Sequence, residues 1–303
     1  MAGGSINLLD RAKHAAASQL KGLKSADAFR SERPLYVRES TDNLIAGVTL
    51  DDFKADLDVA DGNELRDGKA RPARFCASYS SSALVVNTFA PFKANPDALT
   101  LAGRSGFTTT LKFAGPCPNG LFEANGEPSR SPNLDVLAFA GKAVVGVESK
   151  FLEPFTKKKQ ELSPKFQLPF LGSDGVDPVA EPEWSGMYTR VARMALYPKE
   201  DLPYTHLDAA QLVTHYLGLK FSYPQHSRVL IYLYWEPTNA GGLDACRRHR
   251  DEVRDFCRRV EGCDTKFIAM SYPDLWHEWE TTSTWRGMPG HLAQLRARYR
   301  FPI

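Results

Sequence analysis

Two acids and a lysine stand in one of the most apolar parts of this 303-residue chain: Asp135, Glu148 and Lys150, within the stretch from Pro132 to Lys150. The other residues there are mostly Val, Leu, Ala, Phe and Gly. Apolar segments seldom carry charge without a task for it. The stretch reads as two strands joined by a tight turn. Gly141-Lys142 is the candidate two-residue loop, with glycine at the first central position as a type II′ turn wants. Counting outward, Ala140 pairs with Ala143, Leu137 with Gly146, and Asp135 with Glu148. Opposed residues share a face, with Cβ atoms about 4.5–5.5 Å apart. Lys150, two positions beyond Glu148, points the same way. A slip of one residue in the turn would send Asp135 to the opposite face.

Opposed carboxylates repel, and a bound hard cation would reverse that sign. Mg²⁺ is commonly held by one or two carboxylates together with phosphate oxygens and water. It can activate a water and stabilise charge on a phosphate. Lys150 would add a point charge for the phosphate or orient the attacking water. The bland alternative is a surface salt bridge at a frayed strand end.

Asp135, twelve intervening residues, then Glu148-Ser149-Lys150 resembles the motif of the PD-(D/E)xK nuclease superfamily. Here Asn133-Leu134 separates Pro132 from Asp135, a departure from the Pro-Asp half of the motif. The lysine strand runs on through Phe151-Leu152 to Glu153, as in restriction-endonuclease-like bacterial proteins. The resemblance covers roughly residues 75–270, with only its centre at motif strength. It implies an α/β fold with a restriction-endonuclease-like core: a mixed central sheet flanked by helices in the order αβββαβ, with N- and C-terminal elaborations. It implies a Mg²⁺-dependent DNA endonuclease in which Mn²⁺ can substitute, with Asp135 and Glu148 on the metal. Similar nucleases use a further acid ahead of the Asp strand, and Glu123 is the candidate, against the alternative of a solvated turn acid. Some also carry a Gln followed four residues later by a Tyr on the helix after the active strands. Gln211 fits that place, but His215 occupies the fourth position and Tyr216 the fifth. Gln211 and His215 share a helix face, and either could instead cap or pack that helix.

The elements that must position these residues follow from periodicity. Residues 5–23 have helical spacing. Residues 31–72 are charged and without long periodicity, with turns at Asp61-Gly62-Asn63 and Asp67-Gly68-Lys69. Ser80-Ser81-Ser82 caps an apolar helix. Thr108 to Phe113 reads as a strand, and residues 163–185 as a loop rich in Pro, Gly and acids. Two helical pieces over 186–219, broken at Pro198 and Pro203, precede the Arg228–Trp235 strand. That strand is apolar on both faces, as a central one should be. An amphipathic helix over Leu243–Val260 carries six arginines largely balanced by Asp251, Glu252 and Asp255. A strand at Lys266–Ser271 and a final basic helix close the chain. Trp276, Trp279 and Trp285 read as packing, with base stacking as the alternative. Lys157-Lys158-Lys159 could meet phosphates or form a solvated basic loop. This gives three parts: 1–74, an N-terminal appendage; 75–275, the nuclease-like core; and 276–303, an aromatic and basic extension.

Composition bounds the rest. The net charge of +2 carries no global nucleic-acid signature, so a DNA surface must be local. No apolar run reaches a membrane span, and the N-terminus lacks a secretory pattern, so a cytoplasmic protein without membrane contact is expected. The five cysteines match no zinc spacing and read as reduced thiols. No GxxxxGK[ST] loop, GxGxxG turn or GxSxG elbow occurs, so any ATP-driven unit would lie on another chain. A homodimer would supply the two active sites that a double-strand break needs. Two rivals remain: a non-catalytic nucleic-acid- or protein-binding module on a nuclease-like core, and a metal-dependent hydrolase of a small phosphoester.

Overall fold

The computed structural model of the chain describes residues 7–59, 64–109, 111–119, 132–162, 180–197, 201, 203–282 and 289–303. Its helices are α1 (Leu8–Lys21), α2 (Lys54–Val59), α3 (Ser81–Phe89), α4 (Pro91–Ala94), α5 (Pro182–Leu196), α6 (Ala209–Ser222), α7 (Asp244–Arg259), α8 (Tyr272–Thr281) and α9 (Pro289–Tyr299). Its strands are β1 (Phe29–Arg30), β2 (Arg33–Val37), β3 (Lys112–Pro116), β4 (Asn133–Ala140), β5 (Ala143–Lys150), β6 (Ser227–Tyr234) and β7 (Thr265–Ser271). β1 and β2 form a small ribbon. β3 to β7 form one sheet in sequence order, antiparallel through β5 and parallel from β5 to β7. The succession α3, β3, β4, β5, α6, β6 is the αβββαβ order of a restriction-endonuclease-like core, with extra elements around it.

The hairpin turns where the residue types demand it. Ala140 pairs with Ala143 and Leu137 with Gly146. Gly141 takes a φ of 59°, a left-handed value that favours glycine. β5 is buried along its whole length because β4 and β6 flank it and helices cover both faces. On one face Val145, Val147, Ile231 and Leu233 pack under α3, α8 and α9. On the other, Val144, Leu230 and Tyr232 pack under α5, α6 and α7. Charged residues on β5 are therefore buried by position, which makes their partners decisive.

Residues ahead of the sheet are built into the first of these cores. Ala12, Ala16, Phe53, Leu57 and Phe75 belong to it. A buried polar network ties them to both ends of the chain. Arg298, 1% exposed, donates to Ser78 O (2.6 Å) and Asn43 Oδ1 (3.2 Å). Asn87 on α3 donates to Asn43 O (2.9 Å) and to Tyr299 Oη (2.8 Å). α2 also holds the sheet edge: Phe113 N–H donates to Asp56 Oδ2 (2.9 Å).

Several boundaries move from their sequence expectations. The strand expected over Thr108–Phe113 begins at Lys112 and runs to Pro116. Pro182, placed in the 163–185 loop, opens α5, where its missing N–H is harmless in the first turn. The second of the two helical pieces expected over 186–219 starts after Asp208, whose side chain caps it by accepting from Gln211 N, and runs past 219 to Ser222. Arg247, Arg254, Arg258 and Arg259 of α7 pair with Asp244, Asp251 and Asp255 along the helix and Arg250 with Glu236 off it, whereas Glu252, expected to balance them, instead accepts from Thr205, His206 and Leu207.

Candidate active site

Glu148 and Lys150 point to the same side of β5, two residues apart, and meet α6. Lys150 Nζ donates to Glu148 Oε1 (2.5 Å) and to Gln211 Oε1 (2.7 Å). Glu148 is 2% exposed and Lys150 8%. One turn beyond Gln211 on α6, His215 Nε2 lies 2.8 Å from Glu148 Oε2, its N–H directed off the line to that oxygen. Both carboxylate oxygens of Glu148 thus have a nitrogen beside them. Burial pushes the Glu148 carboxyl up, but the Lys150 ammonium and His215 outweigh it and hold the group at about 2. Burial likewise works against the Lys150 charge, and Glu148, Glu153 and Asp135 together keep it above the usual lysine range.

Asp135 reaches the same end of the hairpin differently. The β4–β5 ladder ends at Val136 and Val147, one pair short of Asp135 and Glu148. Asp135 Oδ2 instead accepts from the Ser149 N–H (2.7 Å). The flanking register places Ala114 of β3 opposite Asp135, and Ala114 has a left-handed φ of 44°. Leu134 packs over Gly146, where an added Cβ would lie 2.6 Å from Leu134 Cδ1. Half-buried Asp135 lines a cavity of about 130 Å³ with Leu57, Val85 and Val86, on the α2–α3 side of the sheet. The expectation that all three residues share one face is corrected here: they gather around the end of the hairpin, Glu148 and Lys150 toward α6, Asp135 toward α3. The physical reason is the broken ladder, which frees Asp135 from strict strand alternation. Burial, with the charge of Glu148 added, holds the Asp135 carboxyl well above the usual carboxylate range, against the opposing pull of Lys150 and the Ser149 N–H.

The backbone that carries Ser149 is itself tied down. Ser149 Oγ and the hydroxyl of Tyr272, the first residue of α8, are 2.7 Å apart in the buried layer beneath the hairpin. Glu153 Oε2 accepts from Phe151 N–H (2.7 Å) just past the lysine.

Of the five residues singled out for chemistry, Asp135, Glu148, Lys150 and Gln211 come together. Glu123 lies outside the described residues. Two further residues adjoin them. His215 was visible in the sequence through its spacing from Gln211. Glu64 was not: it lines the Asp135 cavity and also a neighbouring one of about 390 Å³ that reaches Glu153. Glu64 sits in a segment without periodicity, so no sequence signal marks it. It accepts from Ser82 Oγ (3.2 Å) on α3, and burial pushes its carboxyl up against the pull of Arg74.

The donor set suits a hard cation in one respect. Among the described residues Asp135 makes no ion pair, and the other acid of the site also offers only oxygen. Among the described residues, no group of three or more His, Cys, Asp or Glu is arranged to hold a metal. The protein would supply two carboxylates and leave the other positions to water and substrate, the usual way Mg²⁺ is bound. No helix among the described residues is long and apolar enough to cross a membrane.

A family model described as "Restriction Endonuclease associating with ARP" matches residues 11–300. No curated protein and no solved structure matches the chain.

Proposed function

The chain belongs to the family of restriction endonucleases associating with ARP, and from that premise we propose that it is a Mg²⁺-dependent nuclease that cleaves DNA at the Asp135–Glu148–Lys150 site. The observation that carries this reading is the convergence of Glu148, Lys150 and Gln211, with Asp135, at one end of a buried hairpin. Asp135 and Glu148 would hold the metal, with Mn²⁺ able to replace Mg²⁺. When bound, the ion supplies charge at the phosphate and an activated water.

The remaining roles belong to the protein. Lys150 carries the positive charge that faces the phosphate or the attacking water. Gln211 accepts from the Lys150 ammonium and keeps it aimed. The Ser149 N–H fixes Asp135, and Tyr272 fixes Ser149 from behind. Glu123 remains a candidate further acid. We assign the chemistry to residues 75–275, with 1–74 and 276–303 as additions, and place the protein in the cytoplasm. A homodimer would cut both strands, and a partner chain would supply any ATP-driven step. The ARP named in the family's description is the first partner to test.

A second reading has its own support. Glu148 has a nitrogen at each oxygen without any metal, an arrangement that a retired, purely binding core would also keep. Cleavage of duplex, single-stranded and branched DNA with and without Mg²⁺ separates the two. Nuclease function predicts Mg²⁺-dependent cutting that Asp135→Ala and Lys150→Ala abolish. Cutting that survives either substitution removes the site assignment. Absence of Mn²⁺ binding in calorimetry, even with DNA present, favours the binding module.

A further inference from the structure

We infer that His215 is a positioning residue for Glu148, fixing the carboxylate so that it can serve Lys150 and a metal together; this rests on the nuclease reading of the site. His215 is 2% exposed and sits on α6 among Leu212, Val213, Tyr216, Leu217 and Leu219, all buried apolar or aromatic side chains. An imidazole there is costly unless something polar offsets its desolvation. The polar group at hand is Glu148 Oε2, 2.8 Å from Nε2. Both ring nitrogens of His215 are buried, and neither makes a hydrogen bond among the described residues. Glu148 is the polar contact that accounts for a histidine at this position.

A carboxylate oxygen accepts and an imidazole N–H donates, so a hydrogen bond at this contact needs the hydrogen on Nε2. The N–H runs off the line to the oxygen, so a rotation of the ring or of the carboxylate would complete the hydrogen bond.

The geometry explains why the helix carries two polar residues one turn apart. Gln211 accepts from the Lys150 ammonium, and His215 Nε2 stands against the Glu148 carboxylate. The face of α6 therefore grips both members of the buried pair. Glu148 has one oxygen toward lysine and one toward histidine, and a carboxylate offers about four lone-pair positions. A lone pair on each oxygen remains for a cation. Without His215, Glu148 can rotate about its last torsion and swing Oε1 and Oε2 about Lys150. Groups that orient a ligating carboxylate typically contribute about 10–100-fold in metal affinity.

The test uses the full chain with His215→Leu and His215→Gln. Glutamine places an amide N–H near the position of Nε2, whereas leucine keeps volume without a donor. Calorimetric titration with Mn²⁺ should show His215→Leu weaker by about 10–100-fold and His215→Gln within a few-fold of the unmodified chain. Equal affinity of His215→Leu and the unmodified chain overturns the inference. Equal weakening by Leu and Gln overturns it as well, because the donor would then not matter. A second readout needs no metal. The His215 ring N–H should give an exchange-protected proton resonance that Glu148→Gln shifts or removes; an unmoved resonance, or none in the unmodified chain, overturns the inference. If the unmodified chain binds no Mn²⁺, the nuclease reading falls, while the resonance still decides whether His215 holds Glu148. Should His215→Leu fail to fold, His215→Gln and the resonance carry the decision.

Discussion

Glu148 and Asp135 lie near the open end of one hairpin, one on each strand, yet their surroundings differ in kind. Glu148 is enclosed: Lys150 beside one oxygen, His215 beside the other, α6 over both. Asp135 accepts from a backbone N–H and lines a cavity on the α3 side, with no ion pair to it among the described residues. The enclosed acid is held ionised to about 2, while the open one is pushed well above the usual range, burial being the largest cause. Two like residues close together are thereby given different tasks. Glu148 is part of the protein's own charge balance and would stay ionised without a metal. Asp135 is the acid left wanting a cation, so it is the one whose state a metal would change.

Breaking the enclosed side should have the largest effect. Lys150→Ala removes the ammonium that balances Glu148. Loss of one partner from a buried pair typically costs about 3–5 kcal/mol, and denaturant unfolding should show that. Cleavage should fall by roughly 10²–10³-fold or more, as when a charge-stabilising donor is deleted from an active site. Lys150→Arg keeps the charge but not the compact shape of the ammonium, so it should recover stability more fully than cleavage. If Lys150→Ala unfolds no more easily than the unmodified chain, Glu148 is not enclosed as described.

The comparison is sharpened by neutralising each acid in turn. Glu148→Gln leaves Lys150 buried against an amide and should destabilise the metal-free protein by about 2–3 kcal/mol, the scale of a charged hydrogen bond. Asp135→Asn removes a carboxylate that burial already disfavours. It should leave the metal-free protein equally stable or more stable by about 1 kcal/mol, consistent with relief of a desolvated charge. Both substitutions should abolish Mn²⁺ binding in calorimetry. Opposite effects on stability with the same effect on binding is the signature; equal destabilisation by both would sink the contrast between the acids.

Much of this was legible in the sequence, and the part that was not has a clear origin. The hairpin, its Gly141 turn and the same-face placement of Glu148 and Lys150 follow from strand alternation and glycine's conformational freedom. So does the approach of Gln211, because helix spacing puts it one turn from His215. Asp135 was placed at the right end of the hairpin but on the wrong side. Its lean depends on Ala114 entering the left-handed region and on Leu134 crossing over Gly146. Neither is a property of residue type. The role of the N-terminal segment was hidden for a related reason. Arg298 reaching Ser78, Asn87 reaching Tyr299 and Glu64 reaching the Asp135 cavity are contacts between distant parts of the chain, without periodicity to announce them.

The smallest expected effect is a difference in pH dependence, and it separates the two acids by sign. Glu148 has a folded value of about 2 against an ordinary 4.5. Its stabilising contribution is complete above about 4.5 and is lost as pH falls from there toward about 2. Asp135 is raised above its ordinary 3.8, so the folded protein binds its proton more tightly than the unfolded chain. By linkage, stability then declines as pH rises above 3.8 toward the folded value. Glu148→Gln should therefore flatten the acid limb of the stability profile, and Asp135→Asn the limb above 3.8. The same sign governs the metal. A cation must displace the Asp135 proton, so Mn²⁺ affinity should strengthen as pH rises through the folded Asp135 value and level off beyond it, with up to one proton released per ion bound. Calorimetry in buffers of different ionisation enthalpy measures that proton. A Mn²⁺ affinity independent of pH across the Asp135 titration would mean that this acid is already ionised in the metal-free fold, and that the open and enclosed carboxylates differ less in charge than in position.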